Sequence, residues 1–116
     1  MEWFGRAARN RAEAQCMPDL PELDSVIHGK LRLALLSLLV GVEEAEFTWL
    51  REKTGSTDGN LGAQLARLEA AGYVRVKKKF VQRKPKTLYR MTDAGRQAFT
   101  EYIQALKQLL GTAIGT

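Results

Sequence analysis

The chain has 116 residues, enough for one domain, and 45% of them are hydrophobic, enough for a core. Charged residues make up 27%, which excludes a disordered composition, and the formal net charge of +5 favours an acidic partner such as nucleic acid or an anionic membrane. One cysteine, Cys16, and one histidine, His28, exclude an internal disulfide and any four-cysteine or two-cysteine, two-histidine metal centre within the chain.

Residues 1–24 read as an N-terminal extension. Pro18 and Pro21 break any helix there, and a short helix over 3–15 would gather Trp3, Phe4, Ala7, Ala8 and Ala12 on one side. Arg6, Arg9 and Arg11 interrupt that stretch, so it is not a secretory signal. The first clear helix is predicted from Ser25 to Val40, with Ile27, Leu31, Ala34, Leu35, Leu38 and Leu39 at helical spacing. Its most apolar run, Leu33–Val40, is far short of the roughly 18 residues a membrane span needs. An acidic connector, Glu43–Glu46, follows, with a strand pair near Phe47. Thr48 then caps a short helix over Trp49–Thr54 that stops at Gly55. Ser56 or Thr57 starts another helix, running to Ala71 and ending at Gly72. Two helices around a tight glycine turn form a helix-turn-helix pattern.

The second of these helices has two unlike faces. Leu61, Leu65 and Leu68 fall on the core side; Ser56, Gly59, Asn60, Ala63 and Arg67 point the other way. That outer face is small and polar and carries no carboxylate, a surface that can lie in a major groove. Tyr73, Val74, Val76, Phe80 and Val81 are β-formers and residues 73–79 alternate, Gln82–Lys86 is the expected loop, and Thr87–Met91 is the return strand. Tyr73 and Tyr89 are expected to pack across the hairpin. Thr92 caps a final helix over Asp93–Leu110, and residues 111–116 form a frayed tail.

Charge is concentrated in this last part. Tyr73–Arg96 holds nine basic residues and one acid, a surplus of +8, while the rest of the chain has nine basic and twelve acidic residues, or −3. A solvated, lysine-rich hairpin that resists edge pairing would explain the run alone. Its position directly after a helix-turn-helix favours phosphate contacts instead.

The run Thr57-Asp58-Gly59-Asn60-Leu61, then Leu68-Glu69-Ala70-Ala71-Gly72-Tyr73-Val74, resembles the MarR-like winged-helix regulators, and more closely their short single-domain group. Phe80-Val81, Arg83, Pro85, Thr87, Tyr89, Thr92 and Ala94-Gly95-Arg96 fit the same pattern, although Gln82 stands where the wing usually carries a glycine. The resemblance covers about residues 25–108. It implies an α+β, mainly α, winged helix-turn-helix domain over 25–110 with a C-terminal dimerisation helix. It further implies a dimer that sets one recognition helix per subunit in successive major grooves. On matching positions it carries over Ser56, Asn60 and Arg67 on the helix and Arg83, Lys84, Lys86 and Thr87 at the wing. Thr57, Gln64, Lys77 and Lys79 complete the candidate DNA-contacting set.

Bland alternatives stand beside these roles. Asn60 either reads an adenine or bonds within the first helical turn. Arg67 either meets phosphate or pairs with Glu69 or Glu52. Asp58 would repel phosphate, so it is expected to offset the helix dipole. Phe99, Tyr102, Ile103, Leu106, Leu109 and Leu110 form one stripe, either core or dimer seam, with the seam favoured. Trp49 and His28 are read as structural, and Cys16 as a free thiol. No nucleophile has a histidine base at a recognisable spacing and no phosphate loop is present, so an enzyme is not expected. The expectation is a cytoplasmic homodimer that occupies double-stranded DNA, most simply as a repressor, without cofactor or metal. An effector of unidentified kind would bind at the seam or beside the extension. The rival classes are a protein–protein adaptor, using the acidic connector and last helix, and an RNA-binding protein.

Overall fold

A computed structural model describes residues 23–114. Its elements are α1 (Lys30–Val40), β1 (Ala45–Glu46), α2 (Phe47–Thr54), α3 (Asp58–Ala70), β2 (Val74–Val81), β3 (Lys84–Met91) and α4 (Asp93–Ile114). The architecture is the expected mainly helical winged helix-turn-helix. The sheet is antiparallel in the order β1-β3-β2. The expected helix over 3–15 and Cys16 lie outside the described residues.

Helix α1 starts at Lys30, five residues later than the apolar spacing predicts. The Asp24 carboxylate accepts hydrogen bonds from the Val26 and Ile27 amides at 2.8 and 3.4 Å and holds that segment in a turn. Gly29, extended at φ −157° and ψ 138°, then precedes the first helical residue. Ile27 is still fully buried, with Leu35, Leu36 and Leu39 of α1, so the apolar pattern marks the core even where the backbone is not helical. Asp24, at the edge of the expected extension, is thus part of the folded unit.

Helix α2 begins at Phe47, and its N-cap is Glu46 rather than the expected Thr48, which is exposed. Gly55 ends it in the left-handed region, at φ 69°, as a C-terminal glycine should. Thr57, one of the two expected caps, begins α3; its hydroxyl accepts the Asn60 amide at 3.2 Å. Leu61, Leu65 and Leu68 are fully buried. Each contributes about 1.5–3 kcal/mol, which outweighs about 1 kcal/mol for each of Gly59 and Gly62 in the same helix. Gly72, at φ 82°, reverses the chain into β2.

The β2–β3 turn is shorter than expected. Only Gln82 and Arg83 lie outside the strands, at φ 52° and 66°, and Val81 pairs with Lys84. Pro85 is inside β3, opposite Phe80. The pair flanking a two-residue turn is hydrogen-bonded, so Phe80–Pro85 is a non-hydrogen-bonded pair. The missing Pro85 amide therefore interrupts no ladder bond to β2, and β1 pairs only with Leu88 and Tyr89. Tyr73 and Tyr89 do not face one another. Tyr89 pairs with Val76 and Ala45, and its ring lies 6.4 Å from Phe47. Tyr73 precedes β2 and donates its hydroxyl to Asp24 at 2.6 Å.

Thr92 caps α4 as expected, accepting the Gly95 amide at 2.9 Å. It also donates to the Gly72 carbonyl at 2.6 Å, and its own amide bonds the Tyr73 carbonyl at 3.0 Å. Residues 23–103 form one compact unit; residues 104–114, the last turns of α4, belong to a second. That helix continues through Gly111 to Ile114, so 111–114 are helical rather than a frayed tail.

Candidate nucleic-acid interface

Helix α3 presents the two faces its sequence implies. Opposite the buried leucines, Gly59, Asn60, Ala63, Ala66, Arg67 and Ala70 are exposed. The only acids of the helix, Asp58 and Glu69, sit toward the flank of that face at 100° per residue. Asp58 occupies the first helical position, where it offsets the dipole. It also bonds Arg51 at 2.8 Å, which pushes the guanidinium pKa further up, first through the hydrogen bond and then through charge.

The predicted contact residues on this helix are held differently from one another. Among the described residues no ion pair holds Arg67, so neither Glu69 nor Glu52 takes it. The Asn60 Oδ1 accepts from Gln64 Nε2 at 3.3 Å, and the Gln64 Oε1 in turn accepts from Arg32 Nη1. Gln64 is half-buried and braces Asn60 from the α1 side. Ser56 is also half-buried and shares a 2.8 Å hydrogen bond with Thr54. Thr57 is committed to its cap. The Arg32–Gln64–Asn60 relay was invisible in the sequence, because Arg32 sits on the polar interval of another helix.

The hairpin sorts its cations by strand register. Residues paired across the ladder share a face, which places Arg75 with Arg90, Lys77 with Leu88, Lys79 with Lys86, and Val81 with Lys84 on one side. Six cations thus share one face of the ribbon, and Arg83 stands in the turn. Arg75–Arg90 and Lys79–Lys86 are like charges directly opposite, an arrangement that weakens a hairpin unless an anion lies over it. Two carboxylates relieve part of the repulsion: Glu46 holds Lys86 at 2.9 Å and Glu44 approaches Lys77 at 3.7 Å. Both pairs keep only partial solvent access and are worth about 1 kcal/mol each. Thr87 lies on the other face with Lys78. Burial raises the Tyr89 hydroxyl pKa, with the Glu69 charge adding to it.

Within residues 23–103, the expected seam stripe is partly core. Tyr102 is 3% exposed, and its hydroxyl lies 2.8 Å from His28 Nδ1, so it is packed inside its own chain and is not an interface residue. Phe99 and Ile103 are half-buried. In the second unit, Leu106 and Leu109 are half-buried and Leu110 is 51% exposed. His28 sits outside any helix, exposed, beside the Tyr102 ring. Trp49 is half-buried, with Lys53 Nζ 5.8 Å from its ring.

A groove of about 510 Å³ runs beside α3, lined by Leu31, Ala34, Leu38, Lys30, Lys53 and Asn60 among others. Among the described residues no His, Cys, Asp or Glu cluster could hold a metal ion, and no helix is long and apolar enough to cross a membrane.

Residues 31–110 match the family described as winged helix DNA-binding domain. The uncharacterized protein MJ0432 of Methanocaldococcus jannaschii is 40% identical over 84 residues, which cover 72% of this chain and 91% of that protein. Among solved structures, a transcriptional regulator homologue from Pyrococcus horikoshii has a TM-score of 0.72 at 25% identity, over 76% of this chain and 87% of that one. The transcriptional regulator BldR from Sulfolobus solfataricus shares the fold, with a TM-score of 0.64 at 18% identity, over 99% of this chain and 86% of that one.

Proposed function

The chain belongs to the winged helix DNA-binding domain family, and on that premise we propose that it is a sequence-specific repressor that grips double-stranded DNA as a homodimer. The family makes it a MarR-like DNA-binding regulator of transcription and not an enzyme. The observation that carries the finer proposal is the like-charged face of the hairpin next in chain to a helix whose exposed side has no carboxylate. In this proposal α3 lies in the major groove, where Asn60, set by Gln64, and Arg67 reach base edges or phosphate. Ser56 and Thr57 hold the start of that helix at the backbone. Lys77, Lys79, Arg83, Lys84, Lys86 and Thr87 meet the flanking backbone or minor groove. Docking exchanges the Lys86–Glu46 and Lys77–Glu44 pairs for phosphates, one anionic partner replacing another.

Most of the affinity would then come from counterion release and fall steeply with salt. Lys84→Glu with Lys86→Glu weakens binding to every sequence and lowers the salt slope by about 2. Asn60→Ala changes sequence preference instead. Fluorescence anisotropy on duplexes selected from a random pool measures both. Equal binding of the double variant and the parent at moderate salt overturns the wing assignment. Little salt-sensitive duplex affinity at all overturns the DNA reading in favour of a protein adaptor.

The dimer seam is assigned to Phe99, Ile103, Leu106, Leu109 and Leu110, which remain partly or largely uncovered. Sedimentation of a Leu106→Glu, Leu110→Glu variant should give a monomer with much weaker DNA binding. A small-molecule effector seated in the groove beside α3 would touch Asn60 and compete with DNA.

A further inference from the structure

The tip of the hairpin carries an apolar feature that phosphate binding does not use. Phe80 is 75% exposed, on a strand otherwise rich in lysine. It pairs directly with Pro85, and in a non-hydrogen-bonded pair the two side chains come closest. The ring and the pyrrolidine therefore form one rigid apolar ledge, one residue pair back from a two-residue turn. Residues 78–86 hold Lys78, Lys79, Arg83, Lys84 and Lys86 and no acid: Lys78 shares the face of the ledge, Arg83 stands in the adjacent turn, and Lys79, Lys84 and Lys86 line the opposite face of the ribbon. A surface of that kind fits a partner with anionic rims and an apolar, stackable interior. A nucleic-acid groove has that chemistry, and the ledge shares its ribbon face with Lys78 and Thr87, the latter assigned above to DNA, while the six-cation face lies on the opposite side of the same thin ribbon.

We propose that Phe80, backed by Pro85, is a wedge that enters the DNA minor groove beside the major-groove site, partly unstacks one base step and bends the duplex away from the wing. This rests on the duplex-binding function proposed above. An inserted apolar side chain opens a flexible pyrimidine–purine step at least cost. The wing thus confers a preference for such a step at a position where no base edge is read. The surrounding cations hold the phosphates on either side of the opened step.

The test uses the full chain and duplexes selected for binding from a random pool, with 2-aminopurine placed at successive flanking steps and a donor–acceptor pair on the duplex ends. The parent should raise the 2-aminopurine fluorescence at one flanking step per half-site and shorten the end-to-end distance. Phe80→Ala should lose both signals and bind about tenfold more weakly with an unchanged salt slope. Phe80→Trp should keep both. Because Phe80 is exposed, the Ala variant should melt with the parent by circular dichroism. A parent that binds while Phe80→Ala matches it in affinity, fluorescence and bend overturns the wedge alone. A parent without salt-sensitive duplex binding overturns the underlying function. If Phe80→Ala keeps full duplex binding but loses binding to phosphatidylserine vesicles, the wedge is refuted and the ledge is a membrane contact.

Discussion

Replacing Gly59 and Gly62 together by Ala should stabilise the fold and impair DNA binding. A Cβ at either position meets nothing within 4 Å, so neither glycine is required by packing inside the chain. Gly62 is in the interior of α3, where Ala is favoured by about 1 kcal/mol; Gly59 is in the first turn, where the gain is nearer about 0.5 kcal/mol. The sum, about 1.5 kcal/mol, corresponds to a rise in melting temperature of about 7 °C for a domain of this size. The opposite effect is expected on DNA. Gly59 adjoins Asn60 on the exposed face, and an added methyl there would hold the helix off the groove floor, with an expected loss of about tenfold in affinity. Circular dichroism melts and anisotropy titrations at one salt concentration read the two effects separately. A variant that melts at or below the parent refutes the packing argument. One that gains stability and binds DNA as tightly as the parent refutes the role assigned to the glycine face.

Gly95→Ala should act in the other direction: its Cβ would collide with the Tyr73 carbonyl oxygen, which cannot move without losing the hydrogen bond from the Thr92 N–H, so urea denaturation should show a loss of about 2 kcal/mol despite better helix propensity. Thr57→Ala should remove the α3 cap and cost about 1 kcal/mol in the same measurement. The Tyr73 hydroxyl donates to Asp24, and that bond, then burial, raise its pKa from 10.0 to about 12. The folded state therefore holds its proton more tightly than the unfolded chain, and the stability from this bond is complete below pH 10 and is lost as pH climbs toward 12. Tyr73→Phe should flatten that part of the melting-temperature profile; an unchanged alkaline decline in the variant would show that another group is responsible.

Elements governed by local rules were legible in the sequence. The Leu61, Leu65, Leu68 spacing gave the buried side of α3, Gly55 and Gly72 marked the two reversals, and Thr92 the start of α4. What was misread depended on partners far along the chain or on a weak local signal. Asp24 and Gly29 withhold five residues from α1, but their effect is clear only once the Asp24 carboxylate is seen bonding both the turn and Tyr73. The expected loop Gln82–Lys86 includes Pro85, although a proline fits a strand where its nitrogen faces away from the ladder. The turn itself lacked the Asn or Gly that normally signals positive φ. Tyr102 shares its stripe with partly exposed residues, and its burial beside His28, 74 positions earlier, cannot be read from that spacing. Likewise Gln64 belongs to the candidate contact set by its place in the sequence, and only the fold shows its oxygen accepting from Arg32 and its nitrogen donating to Asn60.

The Gln82–Arg83 reversal has a consequence for how the wing could be altered. Two residues with side chains occupy left-handed backbone that Asn-Gly would adopt more easily, at a difference on the order of 1 kcal/mol per position. Exchanging them would tighten the hairpin but strip the guanidinium from its most forward point. Rigidity and reach are thus set against one another in two adjacent residues, and a hairpin redesigned for thermal endurance alone would be expected to grip its target less firmly.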